Sequence, residues 1–179
     1  MRMFPGPLLI LALAAAAPDG LFDEATGYRL AMYRAVVPEA PPGVRRIDAA
    51  AVARLVDARR ALLIDVVPAE GGVRRPDGSW RLAREELGIP GTAWFPEAGR
   101  GRIDPAIEAW FLRGVARLSA RHAGQPIVVF CLADCWMSWN AALRLHRAGH
   151  ADVRWFAEGA DGWRDLGRPL KPMTPYKEP

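Results

Sequence analysis

Residues 125–148 read QPIVVFCLADCWMSWNAALRLHRA. Gln125 to Phe130 is an apolar run of strand length, the pattern of a strand buried on both faces. From Trp136 onward the apolar positions change to helical spacing. Met137, Ala141, Leu145 and Ala148 fall on one side, and Asn140, Arg144 and Arg147 on another, so a helix runs to Ala148. A short loop carrying both cysteines of the chain, Cys131 and Cys135, joins the two.

The same alternation extends in both directions. Asp48 caps a helix whose apolar positions are Val52, Leu55 and Val56. The run Ala61–Val67 reads as another strand buried on both faces, with Asp65 at its C-terminal end. Residues 68–90 form a long connection with a turn at Arg75–Gly78 and one short helix expected near Leu82–Leu87; a connection of that length points to function. Residues 91–95 read as a short strand. Asp104 and Pro105 open a helix with cap and first-turn proline, and Ile107, Phe111, Val115 and Leu118 form its buried face. Arg113, Arg117 and Arg121 line its other, solvated face. Val153–Ala157 is the last strand. The fold class is therefore α/β, a single domain with a central parallel sheet and helices on both faces.

The ends read differently. Residues 1–16 begin with Arg2, continue through an apolar stretch from Leu8 to Ala14, and finish in alanines. This is a signal-peptide pattern cut after Ala16, and the apolar stretch is too short to span a bilayer. The expected mature protein is periplasmic, without a membrane span, in a compartment that permits disulfides. Residues 17–43 are an extended lead-in, 44–170 the domain, and 171–179 a C-terminal tail. At 179 residues, with 51% hydrophobic and 25% charged residues, the chain can bury a sizeable core, which excludes disorder as its main description. The net charge is +4, but the arginines are scattered rather than striped, which argues against nucleic-acid binding.

The two cysteines carry the chemistry. A disulfide between them requires a tight loop, because its alpha carbons must approach to about 4.4–6.8 Å. As a staple such a bridge contributes only about 2 kcal/mol, so a redox couple is a better reason for the pair. A structural bridge, a thiol-redox or persulfide role, and copper(I) capture by two thiolates all stay open. His146 lies too far down the helix to join the cysteines, and His122 and His150 read as surface residues. No zinc spacing, phosphate loop or Ser-His-Asp arrangement is present, and the sequence names no cofactor and no resident metal.

Ile64-Asp65-Val66, Ile89-Pro90-Gly91, Val129-Phe130-Cys131 with Ala141-Ala142, and Glu158 to Trp163 follow in an order that resembles the rhodanese-like family. The resemblance covers residues 44–170. More narrowly, Cys131-Leu132-Ala133-Asp134-Cys135-Trp136, followed by Trp139-Asn140 and Ala142, is similar to the exported cysteine-pair/tryptophan-motif (CxxCW) proteins associated with pyrroloquinoline-quinone (PQQ)-dependent catabolism. Gly27-Tyr28-Arg29 and Tyr33-Arg34 in the lead-in share that likeness, as do Trp94 and Trp155.

The resemblance implies a nucleophilic Cys131, with backbone N–H groups of the loop turned toward its sulfur. Cys135 is then the resolving thiol, Leu132, Ala133, Asp134 and Trp136 form the site loop, and Asp65 and Trp139 support it. Tryptophans such as Trp136 and Trp139 are more often packing than binding residues, but Trp136 abuts the cysteine and can wall off the sulfur or stack on a flat ligand. The implied partner is a periplasmic quinoprotein dehydrogenase system or its redox partners; sulfurtransferase and non-catalytic binding roles are the alternatives. The loop holds no basic residue, and Asp134 repels an anionic donor, so low thiosulfate activity is expected. Cys131 is expected to hold the larger thiolate share.

Overall fold

The computed structural model describes residues 20–178. The signal-peptide expectation for residues 1–16, and the first residues of the lead-in, lie outside that span. In chain order the elements are β1 (Arg45–Ile47), α1 (Ala49–Asp57), β2 (Leu62–Asp65), β3 (Val73–Arg74), β4 (Trp80–Arg81), β5 (Glu86–Gly88), β6 (Ala93–Trp94), α2 (Pro105–Arg121), β7 (Ile127–Phe130), α3 (Trp136–Arg147), β8 (Val153–Phe156), α4 (Gly159–Asp165) and β9 (Lys171–Met173).

Five strands form the central sheet in the order β1-β8-β7-β2-β6, and every pair is parallel. Alternate residues feed two cores. Ile64, Ile127, Val129, Val153 and Trp155 pack on the side of α2 and α3. Leu63, Val128, Phe130 and Phe156 pack on the other side with Val52 of α1 and Trp163 of α4. This is why Leu62–Ile64 of β2 and the whole of β7 are apolar: a strand between two helical layers has no solvent face. The caps act where expected, with Asp48 accepting from Ala51 N–H and Asp104 from Ala106 N–H, both at 2.7 Å.

Four features differ from the sequence reading. The helix expected near Leu82–Leu87 does not form; Glu86–Gly88 pair antiparallel with β9 instead, a better outcome for six uncapped residues than one marginal turn. Residues 171–178, expected as a tail, are therefore part of the fold. Tyr176 donates its N–H to Trp94 O at 2.7 Å, and its ring sits 4.9 Å from that of Phe95. A first strand, β1, precedes α1 and pairs with β8.

The fourth difference concerns the polar side of α3. Asn140 and Arg144 are fully buried, because they hold the lead-in and the loop after β6. Asn140 Oδ1 accepts from Arg29 N–H, and its Nδ2 donates to Arg29 O and Gly99 O, all at 2.9 Å. Arg144 donates to Ala98 O and Arg100 O and pairs with Glu108. The lead-in from residue 20 onward is thus strapped along α3.

Candidate functional site

β7 is the middle strand of the sheet, and Cys131 follows its last residue. The next four residues turn back tightly, with Asp134 in the left-handed region at φ 48°, and Cys135 becomes the N-cap of α3. The two free thiols meet with their sulfurs 2.7 Å apart, in hydrogen-bonding contact. That is about 0.7 Å beyond a covalent S–S bond.

Two segments clamp the loop. On one side is the Gly-rich turn at Gly159–Gly162, which opens α4. Ala160 N–H donates to Cys131 O at 2.9 Å, and Asp161 Oδ2 accepts from Ala133 N–H at 2.9 Å. Gly159, at φ 55°, lies so close to the Cys131 carbonyl that a Cβ there has no room. On the other side is the strap. Arg34 and Cys135 form an antiparallel bridge, Ala35 N–H donates to Asp134 O at 3.0 Å, and Trp136 N–H donates to Tyr33 O at 2.8 Å. Ser138 Oγ donates to Cys135 O and accepts from Trp155 Nε1, tying the start of α3 to β8.

The sulfurs differ in what they face. Cys135 is held below the usual thiol range, at about 7, by the hydrogen bond from the Cys131 thiol, then by the backbone N–H groups of Met137 and Ser138, with the Arg34 charge adding. Burial pushes Cys131 well up, and negative charge on Cys135 and Asp65 adds to this, opposed only by Leu132 N–H. The N–H groups at this loop thus favour negative charge on Cys135, whereas the sequence led to the expectation that Cys131 holds the larger thiolate share. The N–H donors at the start of α3 point at Cys135, while Cys131 sits deeper at 1% exposure against 3%.

Asp65 ends β2 beside Phe130 and is buried, with Oδ1 accepting from Val67 N–H at 2.8 Å. Burial holds it up at about 7, and charge on Cys135 raises it further. It thus caps backbone and is electrostatically linked to both sulfurs.

A cavity of about 570 Å³ opens over the pair. Leu132, Met137, Val67 and Pro68 give it an apolar lining, and the strap contributes Met32, Tyr33 and Arg34. The long connection and the loop after β6 add Glu70, Arg84 and Arg100. Tyr33 and Arg34 stood in the sequence only as part of the family likeness; Glu70, Arg84 and Arg100 were missed, their one signal being the length of the 68–90 connection.

Asp134 does not line this cavity. It faces a small cleft on the far side of the loop, with Ala133, Arg46 and Glu158. The loop itself holds no basic residue, but Arg34 of the lead-in lines the cavity. Trp136 is no wall either. Its ring packs 5.2 Å from Phe22 and 5.4 Å from Trp139, with the Arg29 guanidinium over it. Trp139 Nε1 donates to Glu39 O at 3.0 Å. Both tryptophans therefore fasten the lead-in. Among the described residues, no three His, Cys, Asp or Glu side chains group as metal ligands, and no helix is long and apolar enough to cross a membrane.

No protein-family model matches the chain, and no curated protein matches it. Among solved structures it is similar to a thiosulfate sulfurtransferase from Pseudomonas aeruginosa, at 24% identity and a TM-score of 0.49 over 74% of this chain. The chain spans 21% of the length of that sulfurtransferase. It is also similar to a rhodanese-related protein from Thermoplasma volcanium, at 19% identity and a TM-score of 0.43, over 71% of this chain and 97% of that one. A full-length protein from Lactobacillus plantarum matches at 16% identity and a TM-score of 0.46, over 72% and 88% of the two chains.

Proposed function

We propose that this chain is an exported, rhodanese-like thiol protein whose Cys131 and Cys135 form a reversible dithiol pair serving PQQ-dependent alcohol oxidation in the periplasm. The observation that carries the chemistry is the 2.7 Å contact between two free thiols beneath an open cavity. The setting rests on the sequence resemblance and the N-terminal signal pattern.

In this reading the Cys135 thiolate attacks one sulfur of a partner disulfide, forming a mixed disulfide and expelling the first partner thiolate. Cys131 then loses its proton to solvent through the cavity and attacks the Cys135 sulfur. The internal bridge closes and the second partner thiol leaves. The partner gains two electrons and the pair loses two; a periplasmic dithiol reductant resets it.

Sulfur transfer is the second reading, favoured by Arg34 at the cavity and by Asp134 lying outside it. Attack of Cys135 on thiosulfate yields a persulfide and sulfite. Cys131, already in contact, then attacks the Cys135 sulfur, closes the bridge and releases sulfide. Sustained transfer to cyanide is therefore expected to be low, for a different reason than the loop composition gives.

The test is trapping from a periplasmic extract. Cys131→Ala cannot resolve a mixed disulfide, so it is expected to accumulate a Cys135 adduct containing a component of a quinoprotein dehydrogenase system. Absence of any adduct contradicts the redox reading; sulfide released from thiosulfate by the wild type, with a Cys135 persulfide accumulating in Cys131→Ala, supports sulfur transfer.

A further inference from the structure

The backbone places Arg34, whose side chain is exposed. Its antiparallel bridge to Cys135, flanked by the hydrogen bonds from Ala35 and to Tyr33, fixes its alpha carbon beside the sulfur pair. Arg34 is among the residues lining the cavity, its charge acts on Cys135, and it has no carboxylate partner among the described residues. The other two rim arginines do: Arg84 Nε lies 2.7 Å from Glu86, and Arg100 Nε lies 2.6 Å from Glu97. The charge of Glu70 acts on both Arg84 and Arg100. Arg34 is thus the cation left for a ligand.

The cavity, at about 570 Å³, is far larger than a small inorganic anion needs and falls in the range that holds an organic ligand. Met32 stands 66% exposed at the rim with φ 49°, an uncommon conformation for a side chain of its size. It extends the apolar wall formed by Val67, Pro68, Leu132 and Met137.

Resting on the dithiol reading, we infer that the cavity selects organic disulfides whose carbon body carries a carboxylate, with Arg34 holding that carboxylate while the body lies on the apolar wall. The preference is carried by a residue outside the cysteine loop.

The experiment compares two aromatic disulfides on the reduced protein: bis(carboxy-nitrophenyl) disulfide, which is anionic, and dithiodipyridine, which is neutral. The readout is the ratio of their rate constants, because the Arg34 charge also favours the Cys135 thiolate and that effect divides out. Arg34→Ala is expected to lower the anionic-to-neutral ratio about tenfold, the scale of one charge at contact distance between bulk-water and near-surface screening. Arg34→Lys retains most of the preference, Arg34→Glu lowers the ratio further, and added salt shrinks the wild-type preference.

Brisk reaction of both disulfides with a ratio unchanged in Arg34→Ala overturns the inference and leaves the dithiol reading standing. Reaction of neither overturns the dithiol reading. The anion site is then decided by calorimetry with nitrobenzoate, which has no sulfur. Binding weakened about tenfold in Arg34→Ala supports the site, and equal or absent binding refutes it.

Discussion

Replacing Cys131 with alanine removes the hydrogen bond that contributes most to holding the Cys135 thiolate. Hydrogen bonds to charged groups contribute about 1.5–3 kcal/mol, and about 1.36 kcal/mol moves a pKa by one. The Cys135 midpoint is therefore expected to climb from about 7 toward the ordinary 9.0, by about one to two pH units. Cys131→Ser keeps a hydroxyl donor and is expected to hold the midpoint below that of the alanine variant. The assay is the pH dependence of iodoacetamide alkylation, with the labelled peptide identified by mass spectrometry.

In the reduced wild type at neutral pH, Cys135, held at about 7, is the more ionised sulfur, while burial pushes Cys131 well above the ordinary thiol range. The weaker nucleophilicity of the more acidic thiolate returns only part of that difference. Cys135 is therefore expected to be labelled faster. A midpoint unchanged in Cys131→Ala, or Cys131 labelled first in the wild type, refutes the assignment.

Asp65→Asn keeps an acceptor for Val67 N–H but removes a buried acid. The unfolded chain deprotonates Asp65 from about pH 4, whereas the folded chain keeps the proton until about 7, so the native state loses stability as pH rises through that window. Urea unfolding is expected to show equal stabilities near pH 4 and the variant more stable by about 4 kcal/mol at pH 8; an equal difference at both pH values contradicts this. Asn140→Leu leaves the N–H and C=O of Arg29 unpaired and is expected to cost about 3–5 kcal/mol in denaturant titration; a cost under about 1 kcal/mol contradicts the strap's dependence on that side chain. Gly159→Ala forces a Cβ into the Cys131 carbonyl and is expected to slow Cys135 alkylation at neutral pH; unchanged kinetics mean that the Gly-rich turn does not set the loop.

The fold was legible where burial is two-sided. Leu62–Ile64 and Ile127–Phe130 have no solvent face, and their continuous apolar runs announce this. Asp104 with Pro105 marks a helix start by local chemistry alone. The location of the cysteine loop follows from the same patterning. The short ladders were not legible, because two or three residues such as Glu86–Gly88 carry no period, and their partner lies far along the chain. Asn140 and Arg144 looked like a polar face because helical spacing separates side chains by type. It does not reveal that the lead-in supplies backbone groups for them to bond. Tyr33-Arg34 stood out only through the family likeness, because the backbone pairing that brings Arg34 to the site leaves no side-chain pattern. The order of acidity of the two thiols is not legible in the sequence for a related reason. It depends on which sulfur faces the first N–H groups of α3 and which lies deeper, and both are properties of the folded loop.

The central claim is that Cys131 and Cys135 open and close together as one redox couple. The direct measurement is to equilibrate the folded protein in buffers of graded thiol–disulfide ratio, quench with acid, label in denaturant with a maleimide, and weigh the intact chain. The account predicts only unlabelled and doubly labelled protein, interconverting reversibly through a single midpoint. Doubly labelled protein under every condition, or a bridge that survives strong reductant in the folded state, contradicts it.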